Sequence, residues 1–459
     1  MLFNASTALE PAILFEENDA LVTRIADRVR ARHAREAEFQ RYDIYLPFYW
    51  EQRVLRMEIR DRVAKGGTGL QFNYTTLAPL SAAEFRAFFL GRSTVAEYHF
   101  NTIAPLVGSG PSTDYPGETE YHYSVTLTNQ LPENRPLRAG DRVEIELSQF
   151  FAAVRNGQLN YYGTTLLYVV GEGIVPWYEE REYVSGGSRD SRRLPEKAWL
   201  GGLATLPYHY SNEPTHRFKQ MAGNIAPRSG VPFLLGRRIH HTNFQTGAHS
   251  ENGNPIFTAH TGQIGPKFIS NSCVDCHVNN GRSLPPNVGA PLTRSVVKVG
   301  ANAAGEPHPV LGEALQTQIT SGTPEAGVTL ASYTELPGTY GDGTPYSLRR
   351  PTYAFTGVTP DFFSVRVAPA LVGLGLLEAV PESAILALAD PADANGDGIS
   401  GRPSLIEDPS DHTKIRLGRF TYKGSQATVA HQIAYAFNRD MGVTTSLFPV
   451  LDGDTTAQN

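Results

Sequence analysis

Apolar and polar residues alternate one by one along much of the first half of the chain. Leu55, Met57 and Ile59 interleave with Arg56, Glu58 and Arg60, and Val143, Ile145 and Leu147 with Arg142, Glu144 and Glu146. Leu70, Phe72 and Tyr74 repeat the pattern, as do Tyr121, Tyr123, Val125 and Leu127. A period of two places one face of each segment on a core and the other in water, as antiparallel sheets do. Asn156-Gly157 suits a tight connection ahead of a strand over 161–170. A β-rich, sandwich-like domain is therefore expected over 44–180. Ser81 to Leu90 reads as a short helix within it. Ahead of it, Leu21, Ile25 and Val29 are spaced by four among charged residues, which predicts a helical N-terminal segment over 1–43.

The alternation fades beyond the polar stretch 181–195, where Gly186-Gly187 and several arginines suggest a domain boundary. From Arg228 to Asn287 glycine and proline punctuate long loops, as in a chain wrapped around a large cofactor. Further on, Leu371 to Ala389 is apolar and suits a helix opening near Pro381-Glu382-Ser383, since proline is favoured in a first turn. Thr428 to Met441 predicts a clearer helix, with Val429, Ile433 and Phe437 on one face and Gly442 as its stop.

The candidate chemistry sits in those loops. Cys273-Val274-Asp275-Cys276-His277 has the spacing of a c-type haem attachment site. Two thiols three positions apart can each add across a vinyl group, and the next imidazole can bind the iron. The chain has 2 cysteines, both in this motif. A structural zinc site needs about four ligands, usually with a second cysteine or histidine pair. A thioredoxin-like pair calls for a strand before it, whereas Gly262 to Ser272 reads as loop. The expected fold is thus multidomain α+β: the β-rich domain, then a mainly α, loop-rich haem domain of the cytochrome c kind over 195–459.

Composition changes this picture little. The net charge of −6 argues against broad nucleic-acid binding, which needs a clustered basic face. No apolar run approaches the roughly 18 residues that span a bilayer. Met1 to Phe15 lacks the basic start of a secretory signal, although haem c attachment implies a periplasmic or secreted protein.

Several smaller constellations have competing readings. Asp393-Ala-Asn395-Gly-Asp397-Gly398 has the oxygen spacing of a calcium loop, but position twelve is Ser404 rather than a bidentate Glu. The alternative is an acidic turn closed by Asx hydrogen bonds. Gly373-x-Gly375-x-x-Glu378 lacks the third glycine of a dinucleotide fingerprint. His240, His241, His249 and His260 precede the motif and are candidates for a sixth iron ligand, as is Met441, which core packing explains as well.

With these residues in place, the stretch from about Leu235 to Pro449 resembles the di-haem oxidoreductase family, related to bacterial di-haem cytochrome c peroxidases and MauG-like enzymes. The matching blocks are Gly265-Pro266, Ser272 to Arg282, Val365 to Pro381, Asp390 to Arg402, Gly418-Arg-Phe420 and Ala436 to Gly442. The family carries a second Cys-x-x-Cys-His after the last block. This chain has one, which fits either a truncated copy or a mono-haem relative. Tyr422 stands where the family tends to have tryptophan, so an aromatic electron relay there is in question.

The resemblance implies a haem c enzyme of peroxidase type, acting on peroxide or on a small-molecule or polymer substrate, with an electron-donor protein as partner. The first motif usually carries the haem that meets peroxide, which makes His277 the proximal ligand. Peroxide cleavage needs a proton carrier and a cation. Glu378 is the candidate carrier and Arg366 its partner, although Glu378 also suits a helix-start carboxylate. Arg282 suits a haem propionate. A low-spin electron carrier and a haem oxygenase of the rubber-cleaving kind are the alternative functions.

Overall fold

A computed structural model of the chain describes residues 13–25, 56–77, 79–89, 100–113, 116–131, 133–152, 161–175 and 229–452. The chain divides into two units, 1–239 with 252–255, and 240–251 with 256–459.

The first unit is built from two antiparallel sheets. Strands β1 (Ile13–Glu16), β2 (Leu21–Ile25), β3 (Arg56–Asp61) and β4 (Leu70–Thr76) lie in one sheet, whose order is completed as β1-β2-β3-β4-β8-β7. The other contains β5 (Leu80–Phe89) and β6 (Phe100–Ile103), while β7 (Leu106–Pro111) and β8 (Thr119–Leu127) belong to the first. A small ribbon, β9 (Asn129–Gln130) with β10 (Arg135–Pro136), precedes β11 (Arg142–Phe151), β12 (Tyr161–Val169) and β13 (Gly173–Val175). The second sheet runs β13-β12-β11-β5-β6. Ile59, Phe72 and Tyr74 from one sheet and Phe85, Val143, Ile145 and Tyr168 from the other are buried in a common core. The Phe72 and Phe85 rings meet at 4.8 Å between centroids. This is sheet-on-sheet packing driven by removal of alternate apolar side chains from water.

Two helical expectations fail here. Leu21–Ile25 is strand β2, hydrogen-bonded between β1 and β3. A spacing of four residues puts side chains on one face of a strand as well as of a helix, so it does not separate the two. The part of that expected helix beyond Ile25, over 26–42, falls outside the described residues. Ser81 to Phe89 is strand β5, paired with β11 from Phe89↔Val143 to Ala82↔Phe150. Its Ala, Glu and Arg favour a helix locally, but sheet pairing and the burial of Ala83, Phe85 and Ala87 override that preference. Strand β11 departs from simple alternation too: Glu146, Ser148 and Gln149 are buried along with Val143 and Ile145. Arg86 partners Glu146 at 3.2 Å, which offsets part of the cost of burying that carboxylate.

The second unit is not the mainly α domain that the haem motif suggested. The described structure is 41% strand and 14% helix. Its framework is a set of two-stranded ribbons: β14 (Lys267–Phe268) with β16 (Gln318–Ile319), and β15 (Ser295–Gly300) with β19 (Phe362–Val367). The long hairpin of β17 (Ala326–Thr339) and β18 (Pro345–Gly357), and β20 (Leu405–Asp408) with β21 (Asp411–Leu417), complete it. Leu292, Val297, Leu311, Leu315, Val328 and Leu330 form its core. The missed signal is legible in retrospect. Asp342-Gly343, with Gly343 at φ 86°, is a hairpin turn between segments rich in Thr and Tyr.

Helices are short by comparison. They are α1 (Gly230–His240), α2 (Cys273–Cys276), α3 (Leu374–Ala379), α4 (Glu382–Leu386) and α5 (Val429–Met441). Helix α5 forms where its sequence predicts, but the side it buries carries His431, Ala434, Asn438 and Met441, while Ile433 is 51% exposed. Thr428 Oγ1 accepts the His431 N–H at 3.0 Å, and Gly442 ends it at φ 63°. Among the described residues, no helix is long and apolar enough to cross a membrane.

Candidate functional site

Ser272 is extended (φ −151°, ψ 151°), and Cys273–Cys276 then closes a single helical turn. The His277 N–H bonds to the Cys273 carbonyl at 2.9 Å. Asn279 and Asn280, at φ 54° and 60°, turn the chain away through left-handed conformations that asparagine tolerates. Both cysteines are free thiols. Burial, helped by the charge of Asp440, pushes each of them up to about 12, so the sulfurs are held protonated. Among the described residues neither cysteine joins a group of three convergent metal ligands. A zinc site at the motif therefore finds no support.

The defining feature is the orientation of His277. Its Nδ1 lies 2.8 Å from the Pro369 carbonyl, which can only accept, so Nδ1 carries the proton and Nε2 presents a lone pair. Fixing a metal-binding imidazole through its other nitrogen in this way sets both tautomer and ring direction. Burial lowers the imidazole pKa below its ordinary value, which favours the neutral ring that binds metal. Pro369 is itself held over the motif: the Leu371 N–H bonds to the Asn280 carbonyl at 2.9 Å and the Ala368 N–H to Ser283 Oγ at 3.2 Å.

Upstream, the chain is clamped onto the end of α5. The Gly265 N–H bonds to Met441 O at 3.0 Å, and the N–H groups of Ile269 and Ser270 bond to Asp440 O at 2.8 and 3.1 Å. The two backbones are so close that a Cβ on Gly265 would stand 2.1 Å from Gly442 O. Burial raises the Asp440 carboxyl to about 6. Blocks far apart in sequence, Gly265-Pro266, Val365 to Pro381 and Ala436 to Gly442, thus converge on the motif through backbone contacts. Sequence reasoning did not single out Pro369 or Asp440, although both lie within those blocks.

The four candidate histidines differ in placement. The His240 ring lies 6.4 Å from that of His277 and 5.2 Å from that of His241. His241 and His249 stack at 5.3 Å and 20°. His260 is half-buried, bonded through Nδ1 to Gln263 at 2.8 Å. Met441 is 3% exposed on the buried side of α5, in the core.

The remaining predicted residues are dispersed. Glu378 is exposed on α3, and its Oε1 accepts the Val429 N–H at 3.2 Å, at the start of α5. The premise that this acid is buried does not hold. Arg366 lies over the Tyr422 ring at 5.7 Å, and Tyr422 donates to Val367 O at 2.7 Å. Among the described residues no ion pair joins Arg366 to Glu378. Arg282 is exposed just past the motif.

Asp393, Asn395 and Asp397 form an exposed turn closed on itself. Gly398 N–H bonds to the Asp393 carboxylate at 3.1 Å, Ile399 N–H to Asp397 Oδ1 at 2.8 Å, and Asp397 N–H to Asn395 Oδ1 at 3.0 Å. Its side-chain oxygens thus accept backbone N–H groups, as in an Asx-closed turn.

Residues 309–456 match the model of a family described as "di-haem oxidoreductase, putative peroxidase", the family that the sequence blocks resemble. No curated protein and no solved structure matches the chain. The matched segment contains Pro369, Glu378 and Asp440; the Cys-x-x-Cys-His motif precedes it. The donor set is nevertheless coherent with the family description. Two half-buried thiols at vinyl spacing and an imidazole with Nε2 presented are what a covalently attached haem requires.

Proposed function

We propose that the chain is a c-type haem oxidoreductase of peroxidase-like activity, with one covalent haem at Cys273 and Cys276 and with His277 Nε2 as axial iron ligand. The observation that carries this reading is the 2.8 Å bond from His277 Nδ1 to Pro369, which presets the imidazole for metal binding. A haem held there supplies a redox-active iron able to exchange electrons with peroxide. Arg282 is near enough in sequence to the motif to pair with a propionate, a geometry that the guanidinium fork suits. Glu378 is the proposed proton carrier: Oε1 is bonded to the Val429 N–H, while the carboxylate as a whole remains exposed and can exchange a proton with the medium. Arg366, held on Tyr422, is the proposed cation. Hydrogen peroxide is the proposed oxidant and an electron-donor protein the proposed reductant, at a site outside the cytoplasm where haem c is attached.

A second reading has its own observation. Rings bound to opposite faces of one metal stand roughly 6 Å apart, given an imidazole–metal bond of about 2 Å, and His240 lies 6.4 Å from His277. That spacing suits a six-coordinate, electron-transfer haem. The discriminating experiment is a pyridine haemochrome assay beside the ferric spectrum and peroxide consumption. One haem per chain, a high-spin component and peroxide turnover fit the peroxidase reading. A purely low-spin spectrum with no turnover favours electron transfer, and colourless protein from a haem-attaching host rejects both.

A further inference from the structure

Ten residues before the cysteine motif begins its own approach, the chain makes a tight reversal that the haem reading does not use. Thr242 bridges His249 in antiparallel fashion, the Ser250 N–H bonds to His241 O at 3.0 Å, and the Asn243 N–H to Ala248 O at 2.9 Å. The tip is closed by Asn243 Oδ1, which accepts the N–H groups of Gln245 and Thr246 at 2.9 and 3.0 Å. Gly247, at φ 74°, packs so closely that a Cβ would stand 2.2 Å from Thr261 Oγ1. The reversal is therefore held by backbone bonds and by close packing at its tip.

This frame gathers three metal-binding side chains. One potential ligand atom from each of His241, His249 and Glu251 lies within 4.8 Å of the others. His241 is 1% exposed, and its Nδ1 is 2.8 Å from Ser250 Oγ, which directs coordination to Nε2. His249 Nδ1 accepts the Glu251 N–H at 3.1 Å and lies 3.3 Å from the Glu251 carbonyl, so the Glu251 backbone orients this ring. His241 has an outer partner of the kind that metal-ligating histidines use to fix their orientation. Ligands in a tetrahedral zinc site stand roughly 3.4 Å apart, from bonds of about 2.1 Å. The cluster must contract by up to about 1.4 Å, from 4.8 to about 3.4 Å, to reach that.

We propose that His241, His249 and Glu251 form a site for a divalent first-row transition cation of the zinc class, distinct from the haem motif. Two imidazoles and one carboxylate suit such a cation better than calcium or magnesium, which take mainly oxygen ligands. Three protein ligands leave a coordination position for water.

The test uses the full haem-loaded chain, stripped with a chelator and titrated with Zn2+ by calorimetry, with bound zinc counted by elemental analysis. One zinc per chain beyond the haem iron is expected. His249→Ala and Glu251→Gln should each weaken binding at least about tenfold, with haem content and ferric spectrum unchanged. Ser250→Ala, which removes only the outer partner of His241, should weaken binding less while leaving the ligands in place. Wild-type protein that binds no zinc, or His249→Ala and Glu251→Gln variants that bind as tightly as wild type, would overturn the site. So would a changed haem spectrum in His249→Ala, since His249 would then serve the iron. A haem-free but zinc-binding chain would instead count against the haem reading alone.

Discussion

His277 has one bond that gives its ring a direction, and the partner lies 92 residues away in sequence. His277→Ala should leave the thioether links to Cys273 and Cys276 intact, so haem should still stain on a denaturing gel. The ferric spectrum should change, because the axial nitrogen is gone. An unaltered ferric spectrum would contradict the assignment. Asp440 offers a second test at this scale. Its carboxyl is raised to about 6 from an ordinary value of 3.8, so the folded chain binds this proton more tightly than the unfolded one. Its contribution to stability is complete below about pH 4, declines as the pH rises towards about 6 and is lost above that. Asp440→Asn should remove that decline, read as the difference between variant and wild-type urea midpoints at pH 4 and pH 7. The motif itself was legible because its chemistry is contiguous. Pro369 was not, because a carbonyl that accepts one proton leaves no mark on residue type.

Elements succeed or fail with the source of their stability. The extent of helix α5 was legible because its glycine stop is local, whereas its buried side, with His431, Ala434, Asn438 and Met441, is not the face of Val429, Ile433 and Phe437. Thr428→Ala should cost about 1 kcal/mol through the lost bond to His431 N–H, measurable as a lowered midpoint in chemical unfolding. Gly442→Ala should cost more, since φ 63° is left-handed and its Cβ would stand 2.4 Å from Lys267 O. That variant should also loosen Gly265 to Ser270, with lower haem incorporation as the readout. Arg419 shows an element completed from afar: it donates to the carbonyls of Leu377, Glu378 and Val380 at the end of α3, where Leu377 O also accepts the Val380 N–H. Strand β5 is the converse case. Its residues prefer a helix, and only β11 and β6 beside it make it a strand.

At the scale of the molecule, the first unit depends on contacts between sheets. Phe85→Ala should destabilise it by about 3–5 kcal/mol, since the ring is fully buried against Phe72 and Phe100. A loss of less than 1 kcal/mol would mean that the two sheets do not share this core. The second unit depends instead on ribbons and on backbone bonds between distant loops.

The sequence by itself marked the cysteine motif, the alternating strands of the first unit and the extent of helix α5, because each is written in neighbouring residues. Only the tertiary structure decided that the second unit is built on hairpins, that Glu378 lies exposed at the start of α5, and that His241, His249 and Glu251 converge. Those outcomes depend on which backbone groups find each other across long separations. Pairing of that kind is set by the energy of the whole fold, and no residue-by-residue pattern records it.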